Sequence, residues 1–365
     1  MTKDEIELPY YIKLTIKLFM VLLIGVLIYI GRAIVVPLAF SVLLSIILLP
    51  LAQFMERHKF PRVLANLLSV MLALVLIVGI LYFLSSQISR FLVDFPSIKK
   101  HINEHYIKLQ DWVQQKLHIA YEKQDAIVND AGEKVKDSFT MFIGQLFITI
   151  TQSIVSIILV TVYTFFILYY RHVIKAFLFS VFERTPSFKV KEVLTESKYM
   201  IQNYIMGLLI EMSIVATANS VLLLILGVRF AIFFGVFTAI LNLLPYVGIL
   251  FSIICVILVT LATSDNLHNI IFIIIGMECI HFLDANFILP KIVGSKVKIN
   301  ALITIAGILI GANLIGIAGI FLALPTIAIL KIIFDRVEGL KPWGLLFGDV
   351  RLNKKITLKK KILPK

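Results

Sequence analysis

The sequence predicts an all-α, polytopic membrane protein, and three observations carry that prediction. Hydrophobic residues make up 59% of the 365 residues, and the mean hydropathy is +0.97. Only 16% of the residues are charged, against roughly a quarter in an ordinary soluble domain. Several apolar runs reach the roughly 20 residues that a helix needs to cross a bilayer. A soluble core could not hide so much apolar surface from water.

Charge and cysteine content exclude other classes of protein. The 35 Lys and Arg residues exceed the 22 Asp and Glu residues, for a net charge of +13. This excess lies in short loops and in the tail from Lys354 to Lys365, so it indicates membrane topology rather than nucleic-acid binding. Cys255 and Cys279 both lie in long apolar stretches, which excludes a secreted disulfide framework.

Six apolar stretches predict full transmembrane helices. The first is expected to be a span rather than a cleavable signal peptide, because it follows a start of mixed charge and lacks a small-residue cleavage site. The six run over Leu14–Gly31, Ala33–Ala52, Val63–Ile88, Phe142–Tyr170, Tyr204–Gly227 and Asn269–Ile288.

Two further apolar stretches, Phe230–Ala262 and Ala301–Phe334, are too long for one span and too short for two. The first is interrupted by LNLLPYVG and the second by GANLIGIAG. Gly and Pro interruptions free backbone groups that lipid cannot satisfy. Each stretch is therefore predicted to form a re-entrant helical hairpin.

The distribution of charge predicts the orientation. Ser89–Phe139 carries balanced charges and is expected outside, whereas four basic segments are expected in the cytoplasm together with both termini. These are Glu56–Arg62, Arg171–Lys198, Lys291–Lys298 and the tail after Lys331. In this topology a helix followed by a hairpin occurs twice with opposite orientation, an inverted repeat typical of secondary transporters. The alternative is a bundle of ordinary short helices with packing glycines.

The predicted organisation has five parts. Residues 1–88 hold three spans, 89–140 a small helical extracytoplasmic insert, 141–200 the fourth span and a cytoplasmic loop, 201–334 the transport core, and 335–365 a basic tail. In the insert, apolar residues recur every three or four positions from Ile98 to Leu117, which predicts an amphipathic helix. That helix could contact a second subunit or pack within one chain. The tail is expected on anionic lipid, or as a solvated topology anchor.

Ionisable residues within the apolar spans are the first candidates for function, because a charge inside a bilayer is costly. Glu211 lies on the fifth span, and Glu278, His281 and Asp284 recur every third residue on the sixth, followed by Asn286 and Pro290. These groups could relay a proton or a cation, with Glu211 and Glu278 as the leading pair. Alternatively, they form interhelical hydrogen bonds.

Polar and flexible residues at the hairpin breaks are the second set of candidates. They would offer backbone amides and carbonyls to a small polar solute, or serve only as turns. They are Asn242, Pro245, Tyr246 and Gly248 in the first hairpin and Gly311, Asn313, Gly316 and Gly319 in the second.

Enzymatic and metal-binding motifs are absent from the sequence. HExxH, the P-loop and G-x-S-x-G do not occur. Glu278-x-x-His281 has the spacing of di-iron helices, but such sites need a second copy on another helix. No catalytic residue, metal or cofactor is therefore expected, and transport would be driven by an ion gradient.

Three motifs in the C-terminal half of the sequence resemble those of a known family. LNLLPYVG, ILPKIVGSKV and ILIGANLIGIAGIFLALPTIAILK resemble the C-terminal half of the autoinducer-2 exporter family, a broad prokaryotic group of permease-like proteins. The resemblance is specific from about Asn203 to Lys331, and Glu211 is not a general feature of that family. It implies export of a small polar solute across a bacterial cytoplasmic membrane, cation/proton antiport in some members, and homo-oligomers. The alternatives are a sodium/proton antiporter and a non-transporting membrane scaffold.

Overall fold

The computed structural model describes residues 9–117, 154–182, 186–243, 247–263, 268–294 and 299–348. Helices occupy nearly all of these residues, which form no strand beyond one isolated bridge between Ile299 and Gly348. In chain order the helices are α1 (Tyr10–Ile30), α2 (Arg32–Arg57), α3 (Arg62–Leu117), α4 (described over Ile154–Tyr169), α5 (Arg171–Val181), α6 (Ser187–Ile225), α7 (Ala231–Leu241), α8 (Val247–Thr263), α9 (His268–Leu283), α10 (Ala301–Ile315), α11 (Ile317–Arg336) and α12 (Lys341–Phe347).

Length and composition confirm a multi-pass membrane protein. Five helices in the described ranges are long and apolar enough to cross a bilayer, and a sixth span results if α4 and α5, bent by 71°, are counted together. Four of them lie within α2, α3, α6 and α11, and the fifth, Asn269–Ile292, comprises most of α9 and the π-helical turns that follow it. These helices are not the same six that the sequence predicted as full spans. The apolar part of α1, predicted as a span, is shorter than a full span, whereas α11, predicted as half of a hairpin, is long enough by itself.

Two helices extend well beyond the apolar stretches that predicted them. α3 continues without a break through Ser89 and Pro96 to Leu117, and α6 begins at Ser187, inside a segment predicted as a loop. Hydropathy marks where lipid ends, but a helix needs only its own backbone hydrogen bonds to continue into water. The insert beyond residue 117 and the basic tail, Lys354–Lys365, lie outside the described residues.

The chain forms two compact units, of which one comprises Leu51–Ile158 and Asn203–Lys296. In this unit α3 packs against α7 and α8, and α8 packs against α9. The apolar core is built around side chains with no more than 1% exposure, including Leu223 of α6, Val256 and Val259 of α8, and Ile273 of α9.

Within that unit, α7 and α8 form the first predicted hairpin. Thr238 of α7 hydrogen-bonds to Ser252 of α8, while Gly248 lies against the Leu241 carbonyl, so the two helices run antiparallel. α7 has 11 residues and α8 has 17. Each helix is therefore shorter than the roughly 20 residues of a span. Leu241 and Val247 flank the interruption, which falls at LNLLPYVG as predicted.

The other unit comprises Met1–Pro50, Leu159–Gln202 and Val297–Lys365 and contains the second hairpin, α10 with α11. α10 begins at Asn300, whose side chain accepts a hydrogen bond from the Leu302 N–H at 2.8 Å. It ends at Gly316, which has φ +68° and ψ −145°, a combination that side chains oppose. The antiparallel helices touch at Gly311 and Gly319, where neither position has room for a Cβ atom. Entry of the two hairpins from opposite sides, and the inverted repeat, stay predictions.

Candidate functional site

Three polar side chains meet in the unit that contains α7 and α8. The Asn242 Nδ2 donates one hydrogen bond to Glu211 Oε1 and one to Asp284 Oδ2, each 2.8 Å long. An amide nitrogen carries two N–H groups, so it can serve both carboxyl groups at once. We refer to Glu211, Asn242 and Asp284 as the carboxyl–amide cluster. It joins α6, the end of α7, and the end of α9.

Asn242 reaches this position because α7 ends there. Its backbone N–H continues the helical pattern to the Thr238 carbonyl at 2.8 Å, and the following turn leaves its side chain beside α6 and α9. One turn earlier, Thr238 and Ser252 are both completely buried and hydrogen-bonded to each other. The close packing of Gly248 on Leu241 fixes α8 against the same turn. The position of the amide therefore depends on the tight hairpin.

Asp284 lies where the geometry of α9 changes. Two π-helical turns follow, Asp284–Ile288 and Pro290–Gly294, and the Leu289 N–H bonds to the Asp284 carbonyl five residues back. Pro290 has no N–H and its ring clashes with the carbonyl four residues earlier, which explains a wider turn at this place. Such π-helical turns occur frequently at functional sites.

The cluster combines burial with a shortage of donors. Glu211 and Asp284 are each only 2% exposed. The Asp284 Oδ1 is buried and receives no hydrogen bond from the residues that the structure describes. An ionised carboxylate that leaves water for an apolar interior loses several kcal/mol of hydration. The arrangement therefore favours binding a proton, a cation or a donor group.

Other candidates on α9 and on the π-helical turns after it lie apart from the cluster. Glu278 and Asn286 are exposed and His281 is half-buried, while the Asn286 amide donates to the Phe282 carbonyl of its own helix. Six residues separate Glu278 from Asp284, which turns the two side chains about 120° apart on a helix of 3.6 residues per turn. Pro290 is also exposed. The three-residue spacing therefore spreads around α9, and the buried partner of Glu211 is Asp284.

The second hairpin presents its candidates differently. Gly311 and Gly319 serve as contact points between α10 and α11. Asn313 is exposed and donates a hydrogen bond to the Leu309 carbonyl of its own helix. Gly316 makes the break, with nothing within 4 Å of the place where a Cβ would stand. Pro245 and Tyr246 of the first hairpin lie outside the described residues.

Comparison with known proteins now identifies the family. The family model described as "AI-2E family transporter" matches residues 18–339. The chain belongs to the AI-2E transporter family. This membership confirms the resemblance seen in the C-terminal motifs, extends it over nearly the whole chain, and puts the protein among membrane transporters.

Individual members of the AI-2E family support the same assignment. The "Putative transport protein YueF" of Bacillus subtilis (strain 168) is 27% identical over 325 residues, which cover 82% of each chain. The "AI-2 transport protein TqsA" of Escherichia coli (strain K12) is 23% identical over 343 residues, covering 93% of this chain and 96% of the relative.

A group of ion pairs in the other unit was not predicted from the sequence. Arg336 at the end of α11 contacts Glu192 at 3.0 Å and Glu196 at 2.6 Å, both on α6. Lys189 donates to Glu338 at 3.1 Å, and this hydrogen bond and the positive charge lower the pKa of Glu338. The spacing of Lys189, Glu192 and Glu196 on one helical face was the available signal. Their ion-pair partners, Arg336 and Glu338, lie more than 130 residues away in the sequence, so no sequence pattern indicated these contacts.

Proposed function

We propose that this AI-2E family member exports a small polar solute, a signalling molecule such as autoinducer-2, across a bacterial cytoplasmic membrane and draws energy from an ion gradient. The observation that carries the proposal is the carboxyl–amide cluster at the end of α7. A buried polar site beside the break of a helical hairpin is where a transporter would bind a polar solute or an ion near the centre of the membrane.

The name of the relative TqsA supports a solute of the autoinducer-2 type. A small, hydroxyl-rich solute would be recognised by hydrogen bonds, and carboxylate oxygens supply acceptors for them. Asp284 Oδ1 is an acceptor that no described residue uses. The proposed path therefore runs past Asp284 and the break between Asn242 and Gly248.

Transport is best tested with inverted membrane vesicles and labelled autoinducer-2. The wild type should accumulate the label when a gradient is imposed. Asn242→Leu, which keeps the size but removes both N–H donors, should lose accumulation at unchanged membrane abundance. Glu338→Gln, which removes an exposed carboxyl outside the cluster, is the matched control and should transport normally.

Each other result has a definite meaning. Sodium-driven alkalinisation without any accumulation would instead show a sodium/proton antiporter. No flux of label, sodium or protons in the wild type would favour the membrane scaffold. Equal accumulation by the wild type and Asn242→Leu would remove the cluster from the path.

The proposed topology has both termini in the cytoplasm and hairpins that enter from opposite sides. Tyr246→Cys and Asn313→Cys, in otherwise cysteine-free protein, should react with a membrane-impermeant thiol reagent from outside and from inside respectively. Reaction of both from the same side would refute the inverted repeat. We also propose homo-oligomers and contact of the basic tail with anionic lipid, which cross-linking and vesicle flotation would test.

A further inference from the structure

The carboxyl–amide cluster has more acceptors than donors. Glu211 and Asp284 together offer four carboxyl oxygens, whereas Asn242 offers two N–H groups, and these go to one oxygen of each carboxyl. The Asp284 Oδ1 stays without a donor among the described residues although its residue is 98% buried, with 2% exposed. A buried carboxyl oxygen without a protein donor can accept a hydrogen bond from a bound group.

No positive charge compensates the two carboxyls within the described ranges, since neither takes part in a salt bridge there. The neighbouring helices offer few ionisable groups. α7 has none, α8 has only Cys255, and Tyr204 lies two turns before Glu211 on α6. On α9, Glu278 is exposed and His281 half-buried, and Lys291 beyond it is also exposed. A bound species would supply the positive charge that the described residues do not.

A proton fits the geometry. The carboxyl groups of Glu211 and Asp284 are close neighbours, because one oxygen of each lies 2.8 Å from the same Asn242 nitrogen. Two adjacent carboxylates cannot both stay ionised where water is excluded, and sharing one proton relieves both the repulsion and the desolvation. A proton also converts one acceptor into the missing donor. A sodium ion needs several oxygen ligands, and Asn242 adds none to the carboxyl oxygens because it presents its N–H groups to them.

We infer that Glu211 and Asp284 form a proton-binding pair that holds one proton between them at neutral pH, bridged by Asn242. This inference rests on the proposed function only in making the proton the coupling ion, because proton occupancy itself can be measured without transport. The bridging amide belongs to the α7–α8 hairpin, so the proton sits directly at the hairpin break. Loss of the shared proton would leave two negative charges, on Glu211 and Asp284, beside that break.

The experiment is infrared difference spectroscopy of the purified full-length protein in lipid-free detergent, recorded between neutral and alkaline pH. A buried protonated carboxyl gives a carbonyl stretching band that shifts in deuterated water. We expect this band in the wild type and its loss in both Glu211→Gln and Asp284→Asn. In each variant the new amide N–H replaces the shared proton as donor, so the remaining carboxyl can ionise.

Glu278→Gln and Glu338→Gln remove exposed carboxyls and should leave the band intact. A wild type without the band would overturn the inference. So would a band that survives both Glu211→Gln and Asp284→Asn, or one that disappears in Glu278→Gln. If either cluster variant is unstable, the pH titration of the wild-type band still decides whether a proton is present. A band without any solute flux would refute the transport proposal alone.

Discussion

Replacing Gly248 should loosen the α7–α8 hairpin and displace Asn242. A Cβ at position 248 would overlap the backbone carbonyl of Leu241, which cannot rotate away as a side chain can. Relief of such overpacking typically costs about 1–3 kcal/mol. Gly248→Ala should therefore lower the apparent melting temperature, at about 2–4 °C per kcal/mol for chains of 150–250 residues. The loss should be larger for Gly248→Leu, because a longer side chain needs a wider gap.

The measurement is a thermal unfolding curve in detergent, followed by transport in vesicles. Gly79→Ala is the matched control, because Gly79 also lies in a transmembrane helix but has open space where a Cβ would stand. In a helix, Ala is favoured over Gly by about 0.5–1 kcal/mol, so this control should be neutral or slightly more stable. Equal melting temperatures for Gly248→Ala and Gly79→Ala would refute the steric argument. Full transport by Gly248→Leu would show that the cluster does not depend on the tight turn.

Three further predictions concern other positions. Gly316 has a backbone conformation that side chains oppose but open space around it, so Gly316→Ala and Gly316→Leu should both lose about 1–3 kcal/mol in the same unfolding assay; a marked dependence on side-chain size would contradict this. Thr238→Val should cost about 1–3 kcal/mol because it leaves the buried Ser252 hydroxyl unpaired, whereas Thr238→Val with Ser252→Ala should recover most of the loss. The lowered pKa of Glu338 means that its pair with Lys189 stabilises the fold above the ordinary pKa of Glu and stops doing so as the pH falls through the folded value. The difference in melting temperature between wild type and Glu338→Gln should accordingly shrink on acidification, and high salt should reduce it too.

Local chemistry made the interruptions of the helices predictable. The sequence predicted interruptions of two long apolar stretches, one at LNLLPYVG and one at GANLIGIAG. In the structure α7 ends at Leu241 before α8 begins at Val247, and Gly316 separates α10 from α11. Glycine and proline act within a turn or two, so a single sequence suffices to place them. The number of apolar stretches likewise indicated a multi-pass protein.

The composition of the buried site could not be predicted in the same way. Glu211, Asn242 and Asp284 were each candidates, but the sequence favoured Glu278 as the partner of Glu211. The choice depends on which face of α9 turns inward, and a helix with apolar residues on every side gives little periodic signal for that. The π-helical turns at Asp284–Ile288 and Pro290–Gly294 also rotate the side chains that follow Leu283 away from the directions that a regular α-helix would give them.

The continuous helix α3 has a consequence for measuring motion. Its 56 residues extend over about 84 Å at 1.5 Å per residue, roughly twice the full thickness of a bilayer with its headgroups. One continuous helix thus connects residues in contact with the α7–α8 hairpin to a stretch that lipid cannot cover. A fluorophore attached near Leu117 would respond to tilting of α3 at the hairpin without being placed in the hydrocarbon itself.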